Sequence, residues 1–312
     1  MNQWLKSLPQ SMIRIINRND LDVEKYDSCI EKSIQSTIYA LSWYLDITCD
    51  NWEVLVLNDF EAVMPIPWRK KFNIKYVYQP LWVLELGIYS KNGSEEEQFL
   101  KVLFESYKYV NIRMNLKNDL EIPKSYSVRR KMQLIALENH YDSISKDYNR
   151  NRRRDLVKAK THGLIENWNA KPEALVTLFK QNVGKRISKI SNQDYENLVT
   201  LIQECKRRGK GHLLEITNEE NQMISAAFFV TQGNKVTEVV CSSDFDNRDN
   251  GANTYMNDRA IHKFHTEYTV FNFGGSSKEG IARYYKSMGG VDHYYNEIHY
   301  NNLPRLLKLF KN

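Results

Sequence analysis

The sequence predicts an α+β protein of two tandem domains, each a mixed, mostly antiparallel sheet flanked by helices. The 312 residues are 42% hydrophobic and 12% aromatic, which is enough apolar mass for two cores at roughly 150 residues per domain. One order of predicted elements also occurs twice: helices, three antiparallel strands, and then alternating helices and strands. We place the boundary after residue 142, which gives domains 1–142 and 143–312.

The elements of the first half follow from hydrophobic spacing and turn residues. Tyr26, Ile30 and Ile34 recur every four residues and predict a helix. Because of Pro65, the strand over 60–66 must lie at a sheet edge, or Pro65 must lie at the end of that strand. Ser94 begins a helix with a capping box. The predicted elements are helices over 26–34 and 38–45, strands over 52–57, 60–66 and 74–79, a helix from 94, and strands over 109–116 and 125–137.

The second half repeats this order after a basic helix that Gly163 ends. Pro172 suits a first helical position, and Ser191 with Asp194 begins the next helix. The predicted elements are helices over 145–161, from 172 and from 191, strands over 212–217, 223–230 and 235–241, a helix over 252–265, a strand over 270–273, a helix over 277–288, and a last strand over 293–300. A final helix is predicted over 303–310.

The sequence argues against several classes of protein. The N-terminus has no apolar stretch of signal-peptide length, and no apolar run is long enough to span a membrane. We therefore expect a cytoplasmic protein without a membrane span. The four cysteines are widely spaced without a CxxC pair, and two histidines of the helix over 252–265 lack a third ligand. We expect reduced thiols and no metal.

Charge is distributed unevenly along the chain. The net charge of +6 comes from 44 basic and 38 acidic residues, and basic clusters stand at 69–71, 150–160 and 206–210. Such clusters suit ligands that carry phosphate, which are either a nucleotide cofactor or a nucleic acid.

The segment 271–289 carries a signature of its own. A predicted strand ends in Phe271-Asn272-Phe273-Gly274-Gly275-Ser276, and the helix after it reads Glu279-Gly280-Ile281-Ala282-Arg283-Tyr284-Tyr285-Lys286-Ser287-Met288-Gly289. Both stretches resemble the signature of the FemAB group of the GNAT (acyl-CoA N-acyltransferase) superfamily. The basic segment 149–163 is similar to the helix that enters the second domain of that family. The resemblance implies tandem GNAT-like domains and transfer of an acyl or aminoacyl unit to an amine.

The sequence departs from the family pattern at positions that matter for chemistry. Asn272 stands where the family commonly has aspartate, Tyr285 where it often has lysine, and Met288 where it has phenylalanine. Lys286 lies one position beyond the usual lysine. The long coiled-coil arm of the Fem enzymes that use aminoacyl-tRNA has no counterpart, and the usual GNAT pyrophosphate loop is not evident.

The resemblance also places candidate groups around an acyl donor. Acyl transfer needs a neutral nucleophile and hydrogen-bond donors where the oxyanion forms, and GNAT folds supply some donors from the third antiparallel strand, here 238–243. The candidate catalytic residues are Lys286 and Ser242. Lys286 would donate a hydrogen bond to the oxyanion or to phosphates. The alternative for Lys286 is a solvated helix face. The candidate donor-binding residues are Val240, Cys241, Ser243, Asn253, Tyr255, Gly274, Gly275 and Arg283.

Five further residues are candidates for binding the acceptor or a phosphate. Trp68 and Arg69 lie in a basic segment after the proline-bounded strand, and Gln79 begins a possible binding loop. Arg150 and Arg154 share one helix face at a spacing of four residues. The alternatives are a charged hairpin tip for the first pair and a solvated helix face for the last.

Three hypotheses about function remain open at this stage. The first is an N-acyltransferase with an acyl-CoA or similar donor and a small-molecule amine acceptor. The second is a Fem-type transferase that takes an aminoacyl group from tRNA, and the third is a GNAT pair that binds a ligand without catalysis. For the first hypothesis we expect Lys286→Ala to cut turnover without unfolding the chain.

Overall fold

The contacts of the chain divide it into two units. The structure is a computed structural model that describes residues 13–92, 96–118, 120–137, 140–187, 190–246 and 248–304. Unit 1 comprises Met1–Arg130 and Tyr294–Asn312, and unit 2 comprises Lys131–His293. These contacts place residues 131–142 in unit 2 and the end of the chain in unit 1, whereas the sequence predicted one boundary after residue 142.

Unit 1 is a mostly antiparallel sheet, in which β4 and β6 are parallel, with helices inserted early in the chain. Its elements are β1 (Ile13–Asn17), α1 (Val23–Lys32), α2 (Ser42–Thr48), β2 (Trp52–Leu57), β3 (Ala62–Lys71), β4 (Ile74–Val77), β5 (Tyr89–Ser90), α3 (Glu96–Ser106), β6 (Tyr109–Arg113) and most of β13 (Val291–Asn301). The strand order is β1-β2-β3-β4-β6-β13, with β5 beside β3. The predicted cap at Ser94 lies outside the described residues.

Local chemistry explains how the elements of unit 1 begin and end. The Asp22 carboxylate accepts from Lys25 N at 3.1 Å and caps α1. The predicted helix extended to Ile34, but Ile34 is 51% exposed and α1 ends at Lys32. The helix ends there because the Ser33 backbone is extended and its hydroxyl donates to Ile30 O at 2.8 Å.

Pro65 lies where β3 lacks a second neighbouring strand. The hairpin of β2 and β3 has the predicted register, with Leu57 opposite Ala62. On its other side, β3 pairs with β5 at residues 62–63 and with β4 at residues 68–71. A proline without an N–H is therefore accommodated between the two pairings, as an edge position requires.

Unit 2 is a mixed sheet with helices on its faces. Its elements are the end of β7 (Ser127–Ala136), α4 (Tyr141–Lys146), α5 (Arg150–Thr161), β8 (Ile165–Asn167), α6 (Pro172–Gln181), α7 (Asn192–Arg207), β9 (Gly211–Thr217), β10 (Met223–Gln232), β11 (Lys235–Ser243), α8 (Ala252–Phe264), β12 (Val270–Asn272) and α9 (Glu279–Lys286). The strand order is β7-β12-β11-β10-β9-β8, and only β11 and β12 are parallel. An apolar cluster that includes Phe229, Met256 and Phe271 forms the core.

The last strand pairs with a strand of unit 1. The sequence placed the strand over 293–300 in the second half without naming its partner, and β13 pairs with β6, with Glu297 opposite Arg113. The buried Glu297 carboxylate also forms an ion pair with Arg130. In unit 2, the end of β7 lies beside β12, with Leu134 opposite Asn272. Strand pairing between distant segments is not encoded in local periodicity, so spacing alone does not identify the partner of β13.

Two further predictions concern the ends of the chain and its helices. Of the final helix predicted over 303–310, only Leu303 and Pro304 are described. Within the described part of the chain, every helix is too short or too polar to cross a membrane.

Candidate active site in unit 2

The parallel pairing of β11 and β12 ends well before β11 does. The two strands pair over only three positions, from Lys235 opposite Val270 to Thr237 opposite Asn272. Gly274 and Gly275 then turn the chain away, with φ of 74° and 72°, values that favour glycine. From Glu238 to Ser243, β11 has no described strand on its β12 side. Main-chain groups of β11 that face this split are free to meet a ligand.

A β-bulge coincides with the start of the split. Phe228 lies opposite Val240 and Phe229 opposite Glu238, so Val239 is an extra residue on β11. A bulge bends its strand and re-aims the side chains around it, and bulges are common next to active sites. The register of β11 with β10 resumes from Val240 to Ser243.

Glu238 is a buried carboxyl group at the split. It is 3% exposed, and burial raises its pKa to about 7. The Tyr285 hydroxyl donates to Glu238 Oε1 at 3.4 Å, and the nearby Cys241 thiol opposes the rise of the Glu238 pKa. Glu238 Oε2 is buried without a hydrogen-bond partner. The group therefore changes protonation near neutral pH and has one oxygen available to another donor.

Tyr285 holds this carboxylate from α9. Its ring stacks on Phe273 with centroids 4.5 Å apart and planes at 19°. Burial raises the pKa of Tyr285 well above its usual value, with the neighbouring Glu238 carboxylate adding to the effect. The phenol therefore stays protonated at neutral pH and acts as a hydrogen-bond donor.

A cavity of about 540 Å³ opens beside the C-terminal end of β11. Cys241 lines this cavity and lies three residues beyond Glu238 on β11, close enough to affect the pKa of the buried carboxyl group. A volume of this size suits a small-molecule or cofactor ligand. The lining residues come from α5, the turn after α6, the end of β11 and the loop after it, the start of α8, and α9. They are Arg152, Asp155, Val183, Arg186, Cys241, Ser242, Ser243, Phe245, Asp249, Asn250, Gly251, Ala252, Asn253, Thr254, Ile281 and Tyr284.

Arg152 provides a cation inside the cavity. Its guanidinium lies 4.7 Å from the Tyr284 ring centroid and forms an ion pair with Asp155 at 3.0 Å. Thr254 donates to the same Asp155 carboxylate at 2.9 Å. Arg152 Nε is buried and has no hydrogen-bond partner. One donor of a positioned guanidinium is thus free for an anionic group.

The N-terminus of α8 and Arg186 add to the positive potential of the cavity. The Asn250 side chain accepts from Ala252 N, the first N–H of α8, at 3.0 Å. Gly251, which precedes the helix, has no side chain to cap the N–H groups that follow. Such N–H groups and the helix dipole attract anions. Arg186 lies over the Phe245 ring at 4.0 Å. The acidic side chains of Asp155 and Asp249 are already in ion pairs, with Arg152 and Lys158 respectively.

Glycine is required at position 251 for two reasons. Its φ is +80°, and a Cβ there would lie 2.1 Å from Asp155 O on α5. The close approach of the two backbones fixes the start of α8 against α5, which carries Arg152.

Four of the sequence-predicted residues meet at this cavity: Cys241, Ser242, Ser243 and Asn253. The Ser243 hydroxyl lies 2.9 Å from that of Ser225 and 3.5 Å from Asn253 Oδ1. The buried Ser242 hydroxyl donates to Leu178 O at 3.4 Å. These polar contacts hold the end of β11 against its neighbours.

Lys286 and Arg283 do not line the cavity. Lys286 ends α9, and its ammonium lies 3.3 Å from Asp292 Oδ2. Arg283 is largely exposed and pairs with Glu279 at 3.2 Å. The role predicted for Lys286 in turnover therefore stays a prediction, and the geometry gives it a partner in Asp292.

The remaining candidate donor-binding residues do not line the cavity but pack or turn the chain near it. Val240 is buried, and Tyr255 packs against the core, with Arg259 5.6 Å from its ring. Gly274 N donates to Asn272 Oδ1 at 3.0 Å. A Cβ on Gly275 would lie 2.4 Å from Met132 Cβ. The glycine pair thus serves the turn that ends β12.

Three acceptor candidates lie in unit 1. Arg69 pairs with Asp50 and stacks on Tyr78 at 4.2 Å. Lys75 lies 4.3 Å from the Trp68 ring. The Gln79 amide donates to Val83 O at 2.5 Å and accepts from Arg113 N at 2.8 Å, so it fixes a loop of unit 1.

Arg150 and Arg154 lie on the exposed face of α5. Neither forms an ion pair with a described residue, and neither lines the cavity. Arg152, between them in sequence, is the residue of this helix that lines it together with Asp155. The binding role of Arg150 and Arg154 stays a prediction, and Arg152 was not among the candidates.

Sequence reasoning also missed Glu238, Tyr285, Arg186 and Tyr284 as site residues. Tyr285 was noted only as a departure from the family pattern, and Glu238 only as the start of a strand. Their proximity joins residues 47 positions apart, and no short motif spans that distance.

No model of a known protein family matches the sequence, and no curated protein matches it. Several solved structures, in contrast, match this chain. The crystal structure of FemX matches with a TM-score of 0.67 and 13% identity, over 96% of this chain and 100% of the other. The C-terminal domain of a putative lysylphosphatidylglycerol synthetase from Agrobacterium fabrum matches at 0.55 and 8%, over 90% and 92%.

A tandem GNAT protein from the clavulanic acid biosynthesis pathway also matches, with a TM-score of 0.53 and 9% identity, over 94% of this chain and 99% of the other. At these identities the similarity shows the fold alone. The chain has the FemAB-like tandem GNAT fold, which confirms the predicted α+β class and the fold that the resemblance implied.

Proposed function

We propose that unit 2 transfers an acyl or aminoacyl group from an activated donor to an amine, with Glu238 as the general base. The observation that carries this proposal is the buried Glu238 carboxylate at the end of the β11–β12 pairing. One of its oxygens is unpaired and its pKa is about 7. A general base is most effective when its pKa is close to the operating pH.

The reaction needs three groups that this site supplies. The donor carbonyl enters the split, where free main-chain N–H groups of β11 stabilise the oxyanion that forms. The amine nitrogen attacks the carbonyl carbon and loses one proton, which passes to Glu238 along the Cys241 side of the cavity. The bond to the leaving group then breaks, and the leaving thiolate or alkoxide takes up the proton. The product is an amide, and the Glu238 carboxylate is regenerated.

The cavity favours a donor with an anionic portion. Arg152 offers an unpaired Nε, and the first turn of α8 lines the same cavity. An acyl-CoA carries phosphates that suit these groups, and so does the 3′ end of an aminoacyl-tRNA. The exposed and unpaired Arg150 and Arg154 on the outer face of α5 specifically favour the tRNA donor as a second candidate.

A transfer assay with both donor classes tests the proposal. The chain is incubated with acetyl-CoA and longer acyl-CoA compounds, or with a mixture of aminoacyl-tRNAs, and with a panel of amines that includes lysine, glucosamine and short peptides. Mass spectrometry then detects the new amide. We expect product from one donor class only. Donor binding in both classes without any product would support the hypothesis of a non-catalytic ligand-binding pair instead.

We expect Arg186→Met to weaken donor binding roughly tenfold, because the variant removes one charge-assisted contact at the cavity. Arg283→Met removes the same charge from an exposed position outside the cavity and is the matched control. The measurement is KM for the donor, or its Kd by calorimetry. Equal weakening by both variants would contradict donor binding in the cavity. It would favour the sequence-based assignment of Arg283 to the donor.

A further inference from the structure

A second cavity, of about 730 Å³, lies within unit 1 and takes no part in the proposed transfer. It is formed by the loop after β6, the start of β7 and the part of β13 that belongs to unit 1. Its lining residues are Leu116, Asn118, Leu120, Glu121, Ile122, Pro123, Lys124, Ser127, Arg129, Tyr294, Tyr295 and Asn296. The volume falls in the range of small-molecule sites.

The wall of this cavity is held in place by buried hydrogen bonds. Asn118 accepts from Ile88 N at 3.1 Å and donates to Ile88 O at 2.9 Å. The Asn296 amide donates to Leu120 O at 3.1 Å, and the Ser127 hydroxyl donates to Ile122 O at 3.3 Å. The loop is thereby fixed from both ends, and a preformed cavity loses little entropy when a ligand binds.

Strand alternation directs one arginine into the cavity. Along β7, Ser127 and Arg129 line it, while Arg130 forms an ion pair with Glu297. The Arg129 guanidinium lies 5.1 Å from the Tyr294 ring centroid and forms no ion pair with a described residue. Lys124 is likewise without a described acidic partner. A cation that is oriented by an aromatic ring and has no ion pair among the described residues is suited to an anionic ligand group.

Asn296 adds polar surface at the same cavity, on the face of β13 that carries Tyr294. The Tyr295 ring lies on the opposite face of the strand, with Glu297. Apolar surface comes from Leu116, Leu120 and Ile122. Glu121 is the one acid among the lining residues, and it is exposed at the rim.

We infer that the unit 1 cavity binds a small molecule that joins an apolar or aromatic body to one phosphate or carboxylate group. The anionic group pairs with Arg129, and the body lies against Leu116 and Ile122. This site is independent of the transfer proposed for unit 2, and the inference holds whether or not the chain is a transferase.

Calorimetric titration of the full chain with phenyl phosphate tests this inference, with inorganic phosphate and phenol as the two halves of the probe. We expect phenyl phosphate to bind with a Kd on the order of 1 mM, and each half to bind at least tenfold more weakly. Arg129→Met should remove this binding. The phenylacetate anion, the carboxylate of phenylacetic acid, in place of phenyl phosphate distinguishes a carboxylate from a phosphate preference.

Arg186→Met is the matched control, because it removes the same charge from the cavity in unit 2 and should leave this binding unchanged. Loss of binding in Arg186→Met but not in Arg129→Met would assign the probe to unit 2 and overturn the inference. Absence of binding to the unsubstituted chain, or binding that Arg129→Met leaves intact, would also overturn it. Circular dichroism of each variant establishes that the chain is folded.

Discussion

Glu238→Gln is expected to lower the rate of amide formation by roughly 10³-fold, the middle of the range for loss of a general base. Glutamine has nearly the same shape as glutamate and keeps an acceptor for the Tyr285 hydroxyl, 3.4 Å from Glu238 Oε1. It cannot take a proton from the attacking amine. Donor binding should change little, because the anion-binding groups of the cavity are elsewhere. The measurement is a single-turnover rate at saturating donor.

The pH dependence of the same rate gives an independent check. The unsubstituted chain should gain activity as pH rises through about 7, where Glu238 ionises. Glu238→Gln should lack this step. If the variant keeps both the rate and the pH step, Glu238 is not the base.

The free energy of unfolding should fall over the pH range in which activity rises. The folded-state pKa of Glu238 is raised from 4.5 to about 7, so folding favours the protonated carboxyl group. Its stabilising contribution is therefore complete below pH 4.5 and is lost as pH rises through about 7, at a cost of about 3 kcal/mol in the free energy of unfolding. Glu238→Gln should remove this loss, which urea denaturation at low and high pH measures.

Gly251→Ala is expected to destabilise the chain by about 2–4 kcal/mol and to impair donor binding. The left-handed backbone at this position costs a non-glycine residue roughly 1 kcal/mol or more. The new Cβ would also lie 2.1 Å from Asp155 O, and relieving such overlap costs about 1–3 kcal/mol. The start of α8 would have to move away from α5, which separates the helix terminus from Arg152. Urea denaturation and the donor Kd measure the two effects.

Gly209→Ala is the control for backbone strain alone. Gly209 has φ of +68°, but a Cβ there meets nothing within 4 Å. This variant should lose only about 1 kcal/mol and keep donor affinity. Equal effects of the two substitutions would mean that contact between α5 and α8 does not organise the cavity.

The fold was largely predictable because its signals are local. Turn residues at Asn58-Asp59, helix caps and apolar spacing identified most elements within a few residues of their observed bounds. The partner of β13 was not predictable in this way. Its alternation identifies a strand, but pairing with β6 depends on Glu297 meeting Arg113 and Arg130, which are distant in sequence.

The candidate site was predictable only in part. The end of β11 and the start of α8 followed from the family resemblance, and Cys241, Ser242, Ser243 and Asn253 do line one cavity. The importance of Glu238 depends on its burial, which raises its pKa, and burial is a property of the packed sheet. A basic helix likewise reveals its charge in the sequence but not which arginine faces inward.

The most direct measurement of the central claim is amide formation by the unsubstituted chain and by Glu238→Gln, followed by mass spectrometry with acyl-CoA and aminoacyl-tRNA donors side by side. We predict product from one donor class with the unsubstituted chain, and a loss of roughly 10³-fold in the variant. Product formed at equal rates by both proteins, or no product from either donor class, would contradict the proposed transfer at Glu238.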